Sequence, residues 1–163
     1  MSTKAKKRQP GEKLVGVHIG SGWKPRSYPP SSFAKLVELL SRSYHVIVVY
    51  SQEVVEASRK FLDKSNITKV YNPTLDEMAR ILKSCDLFVG SDSGPVHLSQ
   101  ILDVPTIAIF SSGDYLRWGT FQKDSIVIRS PLRCSPCGIE GVSPPAPEDR
   151  CIRGFTSCPI LRA

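Results

Sequence analysis

Six short runs suited to β-structure alternate with segments of helical spacing along this chain, and that alternation restricts the fold more than any other feature. Leu14 to Ile19, Val46 to Val49, Lys69 to Tyr71, Asp86 to Val89, Thr106 to Phe110 and Ser125 to Ile128 read as strands. Val46 to Val49 is apolar throughout, as expected of a strand buried on both faces. Phe33, Leu36, Val37, Leu39 and Leu40 recur at helical steps after Pro29 and Pro30, as do apolar positions from Val54 to Leu62. Thr74 with Glu77 three residues on predicts a capped helix through Lys83, and Pro95 opens another through Val96, Leu98, Ile101 and Leu102. Strands joined by helical crossovers pair in parallel, so the expected fold class is α/β, a parallel sheet with helices on both faces. Ligands of such sheets collect at the carboxyl ends of the strands.

Residues 89 to 98, VGSDSGPVHL, place a polar turn at one of those ends. The first amide hydrogens of a helix lack carbonyl partners within it, and its dipole leaves partial positive charge there, so a phosphate binds well. Ser93 and Gly94 let a phosphate approach closely, while Asp92 and His97 can hold a sugar or a proton. A second loop, GSGWKPRSYPP at 20 to 30, leaves the first strand at the same sheet edge. There Ser21 and Gly22 can donate backbone amides, and Lys24 or Arg26 can neutralise charge, an arginine by a bidentate fork. GxxxxGK[ST] and GxGxxG are both absent, so neither a Walker A loop nor a dinucleotide fingerprint is present. SDSGP also matches a chymotrypsin-like nucleophile loop, but those enzymes are β-barrels with an upstream histidine. A GxSxG elbow fails because Ser91 stands two residues before Ser93. His18 and His45 lie in apolar strand runs and read as structural. His97, on a first helical turn, reads either as a ligand contact or as a satisfied structural histidine.

At 163 residues and 40% hydrophobic content, the chain has enough material for one domain with a proper core. The formal charge of +7 belongs mostly to the ends: residues 1–13 carry five basic side chains against one acid, while residues 14–128 carry twelve against eleven. No aromatics interleave with the early lysines, which argues for a solvated tail and against a nucleic-acid partner. Peripheral contact with an anionic membrane surface stays open for such a tail. No apolar run approaches the roughly 20 residues of a membrane span, and no apolar segment follows the basic start as in a signal peptide. A soluble, cytoplasmic protein is expected. The chain divides into a basic disordered tail at 1–13, a ligand-binding domain at 14–130 and a Cys/Pro-rich extension at 131–163 that packs on the same domain. Four of the five cysteines lie in the last 35 residues. Cys134 and Cys137 form a CxxC half-site and Cys151 and Cys158 a looser pair, leaving zinc or another metal, reduced thiols and disulfides all open. Cys85, before a buried strand, reads as core.

Three stretches taken together, GSGWKPRSYP, PTLDEMARILKSCDLFVGSDSGPVHLSQILDVPTIAIF and CSPC with its two following cysteines, resemble the C-terminal half of family 9 glycosyltransferases, the ADP-heptose:lipopolysaccharide heptosyltransferases. The resemblance covers roughly residues 14 to 160. It implies a GT-B architecture, in which two Rossmann-like domains face each other and the C-terminal one holds the sugar nucleotide. Carried over by position, it implies that Ser21, Gly22 and either Lys24 or Arg26 contact the diphosphate. Glu53 or Gln52 falls where the family places a ribose ligand, and Thr74 and Leu75 fall near the adenine edge. Ser93 and Gly94 would meet phosphate, Asp92 the donor sugar, and His97 completes the element. The implied reaction transfers heptose from ADP-heptose to a lipopolysaccharide core sugar at the inner face of the cytoplasmic membrane, with no cofactor required. A carboxylate base deprotonates the acceptor in such chemistry, while amides and cations stabilise the departing diphosphate. The family's base lies in its N-terminal domain, so no catalytic base is assigned to this chain, which is expected to be inactive alone. Two other readings stand beside this one: a noncatalytic nucleotide-binding module with a cysteine metal site, and a sugar-nucleotide epimerase-like domain.

Overall fold

The structure is a computed structural model that describes residues 11–22, 26–51, 66–120 and 122–129. The helical pattern at Val54 to Leu62, both tails beyond these limits, and Lys24, Gln52, Glu53, Cys134, Cys137, Cys151 and Cys158 lie outside the described residues. In chain order the described elements are β1 (Leu14–Ile19), α1 (Pro30–Leu40), β2 (His45–Tyr50), β3 (Ile67–Tyr71), α2 (Leu75–Ser84) and β4 (Leu87–Ser91). Then come α3 (Gly94–Ile101), β5 (Thr106–Phe110), α4 (Tyr115–Trp118) and β6 (Ile126–Arg129). All six strands pair in parallel in the order β3-β2-β1-β4-β5-β6, the doubly wound arrangement of a Rossmann-like sheet.

Alternation along each strand sends side chains to two separate cores. Val15, Val17 and Ile19 of β1, with Val46 and Val48 of β2, pack against Phe33 and Val37 of α1. Leu14, Val49, Phe88, Ala108 and Phe110 face the other way, onto Met78 and Leu82 of α2 and Val96 of α3. The parallel sheet is thereby covered on both faces, as its apolar runs require. Gly16 permits the second packing, because a Cβ there would lie 2.8 Å from Phe88 Cδ2 and 2.9 Å from Cys85 Sγ. Cys85 is buried, and its thiol donates to the Ile81 carbonyl at 3.2 Å. His45 is structural too: its Nε2 is 2.8 Å from Thr68 Oγ1, within a strand-to-strand contact.

Element bounds differ from the sequence pattern in instructive places. β4 continues through Gly90 to Ser91 because its partner β5 supplies ladder bonds there, with Ser91 in register with Ile109. β3 starts at Ile67, two residues before the apolar pattern at Lys69, again set by pairing with β2. The four-residue α4 has no periodicity to betray it; the Asp114 carboxylate forms it by accepting from the amides of Leu116 at 3.0 Å and Arg117 at 3.3 Å.

Candidate functional site

β1 and β4 lie side by side, and the chain leaves them toward opposite faces: α1 packs on one core and α3 on the other. A crevice opens where the windings diverge, at the carboxyl ends of these two strands. Gly20 turns the chain out of β1 with φ of 110°, a left-handed conformation that suits glycine. The loop that follows is tied down twice. Ser21 Oγ lies 2.8 Å from Ser27 Oγ, and the Tyr28 amide donates to Ser91 Oγ at 2.9 Å. On the other side, Ser93 is the N-cap of α3, with extended backbone and no side-chain cap bond to the helix. Its hydroxyl instead donates to the Ser91 carbonyl at 2.8 Å. Nothing lies within 4 Å of where a Cβ on Gly94 or on Gly22 would sit, so both backbones face open space. An anion can therefore approach the first turn of α3 closely.

Asp92 stands at the centre of this crevice with 1% of its side chain exposed. Arg26 Nε lies 3.5 Å from its Oδ2, and His97 Nε2 lies 3.3 Å from its Oδ1. Neither carboxylate oxygen has a hydrogen-bond donor of regular geometry among the described residues. A buried carboxylate without donors is costly, and the close approach of Arg26 and His97 is what offsets that cost here. The turn after β5 presses on the same group, since a Cβ on Gly113 would collide with the Asp92 carboxylate.

Beside this polar centre, over β1, β2 and β3, lies a cleft of about 310 Å³. Val49, Leu75, Met78 and Leu98 give it apolar walls, and Ser51, Asn72 and His18 give it polar atoms. A volume of this order suits a flat heteroaromatic ring with its sugar. Burial pushes the His18 imidazole down to about 4, so it is neutral at physiological pH. Its Nδ1 faces Ser93 Oγ at 3.4 Å, linking cleft and helix N-terminus.

The structure thus brings together Ser21, Gly22, Arg26, Asp92, Ser93, Gly94 and His97 at one sheet edge, with Leu75 on the rim of the adjoining cleft. Arg26, one of the two cations the first loop offers, is placed at Asp92. Thr74 has another task. Its hydroxyl accepts from the Glu77 amide at 3.3 Å and donates to Glu77 Oε2 at 3.0 Å, closing the capping box. The Thr74 backbone amide donates to the same carboxylate and is the main reason its pKa is lowered. Sequence reasoning missed three contributors. His18 was legible as a strand residue, and only its pairing with Gly90 puts it at the crevice. Asn72 and Gly113 come from the ends of β3 and β5, where position along the sheet edge is the sole signal. Among the described residues no group of three or more His, Cys, Asp or Glu is arranged to hold a metal, and no helix is long and apolar enough to cross a membrane.

Residues 1–143 match the family model described as glycosyltransferase family 9 (heptosyltransferase). The chain is 29% identical over 137 residues to lipooligosaccharide heptosyltransferase 2 of Campylobacter jejuni, covering 78% of this chain and 43% of that protein. It is 30% identical over 112 residues to lipopolysaccharide heptosyltransferase 1 of Campylobacter coli, covering 62% and 32%. In fold it resembles the Escherichia coli ADP-heptose heptosyltransferase II, with a TM-score of 0.64 at 21% identity over 75% of this chain and 40% of the other. The Escherichia coli heptosyltransferase WaaC with ADP gives a TM-score of 0.62 at 22% identity over 74% and 38%. The chain spans less than half the length of these relatives.

Proposed function

This chain belongs to glycosyltransferase family 9, and from that premise we propose that it is the donor-binding half of a heptosyltransferase, taking ADP-heptose as donor for a lipopolysaccharide core acceptor. The observation that carries the reading is the buried Asp92 between Arg26 and His97, set directly beside the open N-terminus of α3. Helix amides and a guanidinium suit a diphosphate, and the buried carboxylate keeps that guanidinium and His97 beside it. A fold neighbour described with ADP supports adenine as the base, for which the cleft of about 310 Å³ supplies apolar walls.

In this reading the adenosine lies over β2 and β3, with Leu75 against the base and neutral His18 beneath. The diphosphate meets the amides at Ser93 and Gly94 and those of Ser21 and Gly22, and Arg26 neutralises it. As the bond from sugar to phosphate breaks, charge grows on the departing diphosphate, and these fixed donors hold it more tightly than the ground state. Asp92, sealed beneath the donor sugar, holds Arg26 and His97 in place beside it. Glu53 or Gln52 at the ribose, domain limits of 14–130, and action at the inner face of the cytoplasmic membrane belong to the same proposal. No residue of this chain is assigned as the base that deprotonates the acceptor.

Titration calorimetry with ADP and UDP tests this reading. Saturable binding of ADP, tighter than UDP, is expected; an absence of heat with millimolar ADP would overturn it.

A further inference from the structure

The turn after β5 belongs to the site, although its sequence, SSGDYLRW at 111 to 118, carries no phosphate or sugar signature. It is built as a fixed support. Gly113 packs on the Asp92 carboxylate, and Asp114 accepts two amides of α4 through its side chain and the Trp118 amide through its carbonyl at 2.9 Å. Tyr115 anchors α4 to the sheet: its hydroxyl accepts from Arg129 at 2.7 Å, and the Arg129 guanidinium lies 4.7 Å over its ring. Trp118 ends this small helix with 47% of its surface exposed. Its ring centroid is 5.9 Å from that of His97, and the Arg117 guanidinium lies 5.2 Å over it. A large aromatic left half in water is costly in apolar surface, and here it is held by a framework that ends on the site's carboxylate.

Direction along the sheet edge says what such a ring would meet. The cleft lies over β3, β2 and β1, the helix N-terminus lies beside β4, and α4 follows β5 on the far side of Asp92. A sugar nucleotide is a linear sequence of base, ribose, diphosphate and sugar. With the base in the cleft and the diphosphate at α3, the sugar is directed toward α4. We propose that Trp118 is the platform for the transferred sugar, a specificity-determining residue that receives the C–H face of the pyranose. The negative indole face that Arg117 leaves uncovered attracts the polarised C–H groups of a sugar ring, and His97, 5.9 Å away and tilted by 58°, helps to hold the indole in position.

This inference rests on the donor-binding reading, and the experiment separates the two. Calorimetric affinities for ADP and for ADP-heptose are measured on the full chain and on Trp118→Ala and Trp118→Phe, with thermal melting to confirm folding. Trp118→Ala is expected to lower the ADP-heptose affinity relative to that for ADP by about tenfold, and Trp118→Phe, which keeps an aromatic face, by much less. If ADP-heptose and ADP affinities keep their wild-type ratio in Trp118→Ala, or fall together, the platform is overturned while donor binding stands. If the unaltered chain binds neither ligand, the donor-binding reading itself fails.

Discussion

The turns that leave β1 and β4 meet at one crevice, yet they hold their polar groups in opposite ways. After β4 the functional carboxylate is sealed: Asp92 has 1% of its side chain exposed and is wedged among Arg26, His97 and Gly113. After β1 the cation is open: the Arg26 side chain is 42% exposed, and Gly22 faces open space. A fixed anion that holds its neighbours and an adaptable cation suit a phosphate-bearing ligand. The rigid side keeps His97 and the β5 turn in place, and the looser side follows the diphosphate as its charge grows.

The wedge at Asp92 gives the largest expected effect. Gly113→Val drives a branched side chain into a buried carboxylate and should destabilise the fold by about 3 kcal/mol in chemical denaturation. A neutral outcome would mean that the β5 turn is free to move and the sealed side is not sealed. The His18 imidazole comes next. Its folded pKa of about 4 lies below the ordinary 6.5, so between those values the unfolded chain binds more protons. Its stabilising contribution is complete above the ordinary value and is lost as pH falls toward 4, up to roughly 3 kcal/mol in all. His18→Gln should flatten the denaturation midpoint between pH 7 and pH 4; an unchanged slope would show that His18 is not held neutral.

The open side is probed by Arg26→Ala, expected to weaken ADP binding by about 2 kcal/mol, roughly thirtyfold, and to lower the melting temperature as well, because it takes away one of the two close partners of the buried Asp92. Lys24→Ala is the matched comparison, and a larger loss there would transfer the cation's role to Lys24. The smallest effect belongs to the cap of α2. Thr74→Ala should cost about 1 kcal/mol of stability. Glu77 contributes stability that is present above its ordinary value and lost in acid; Thr74→Ala keeps the Thr74 amide, the larger cause of its lowered pKa, and removes only the hydroxyl, so the acid limb should soften in part. A fall in ADP affinity beyond what the lost cap explains would show that Thr74 touches the base.

Much of this was legible before any coordinates. Thr74 and Glu77 announced a capped helix because a capping box is complete within four residues. Asp92, Ser93, Gly94 and His97 were legible for the same reason: a strand that stops, a polar turn and a proline-started helix are local events with a local electrostatic consequence. The sequence by itself therefore determined the alternating elements, the parallel class of sheet and the anion-friendly turn. Tertiary structure decided what meets that turn. The placement of Arg26 at Asp92, the passage of His18 from a strand face to the cleft, and the arrival of Gly113 and Trp118 from β5 all follow from strand order. Order in a sheet joins residues about 20 to 70 positions apart by pairing and by core packing on two faces, and no local propensity encodes such a distance.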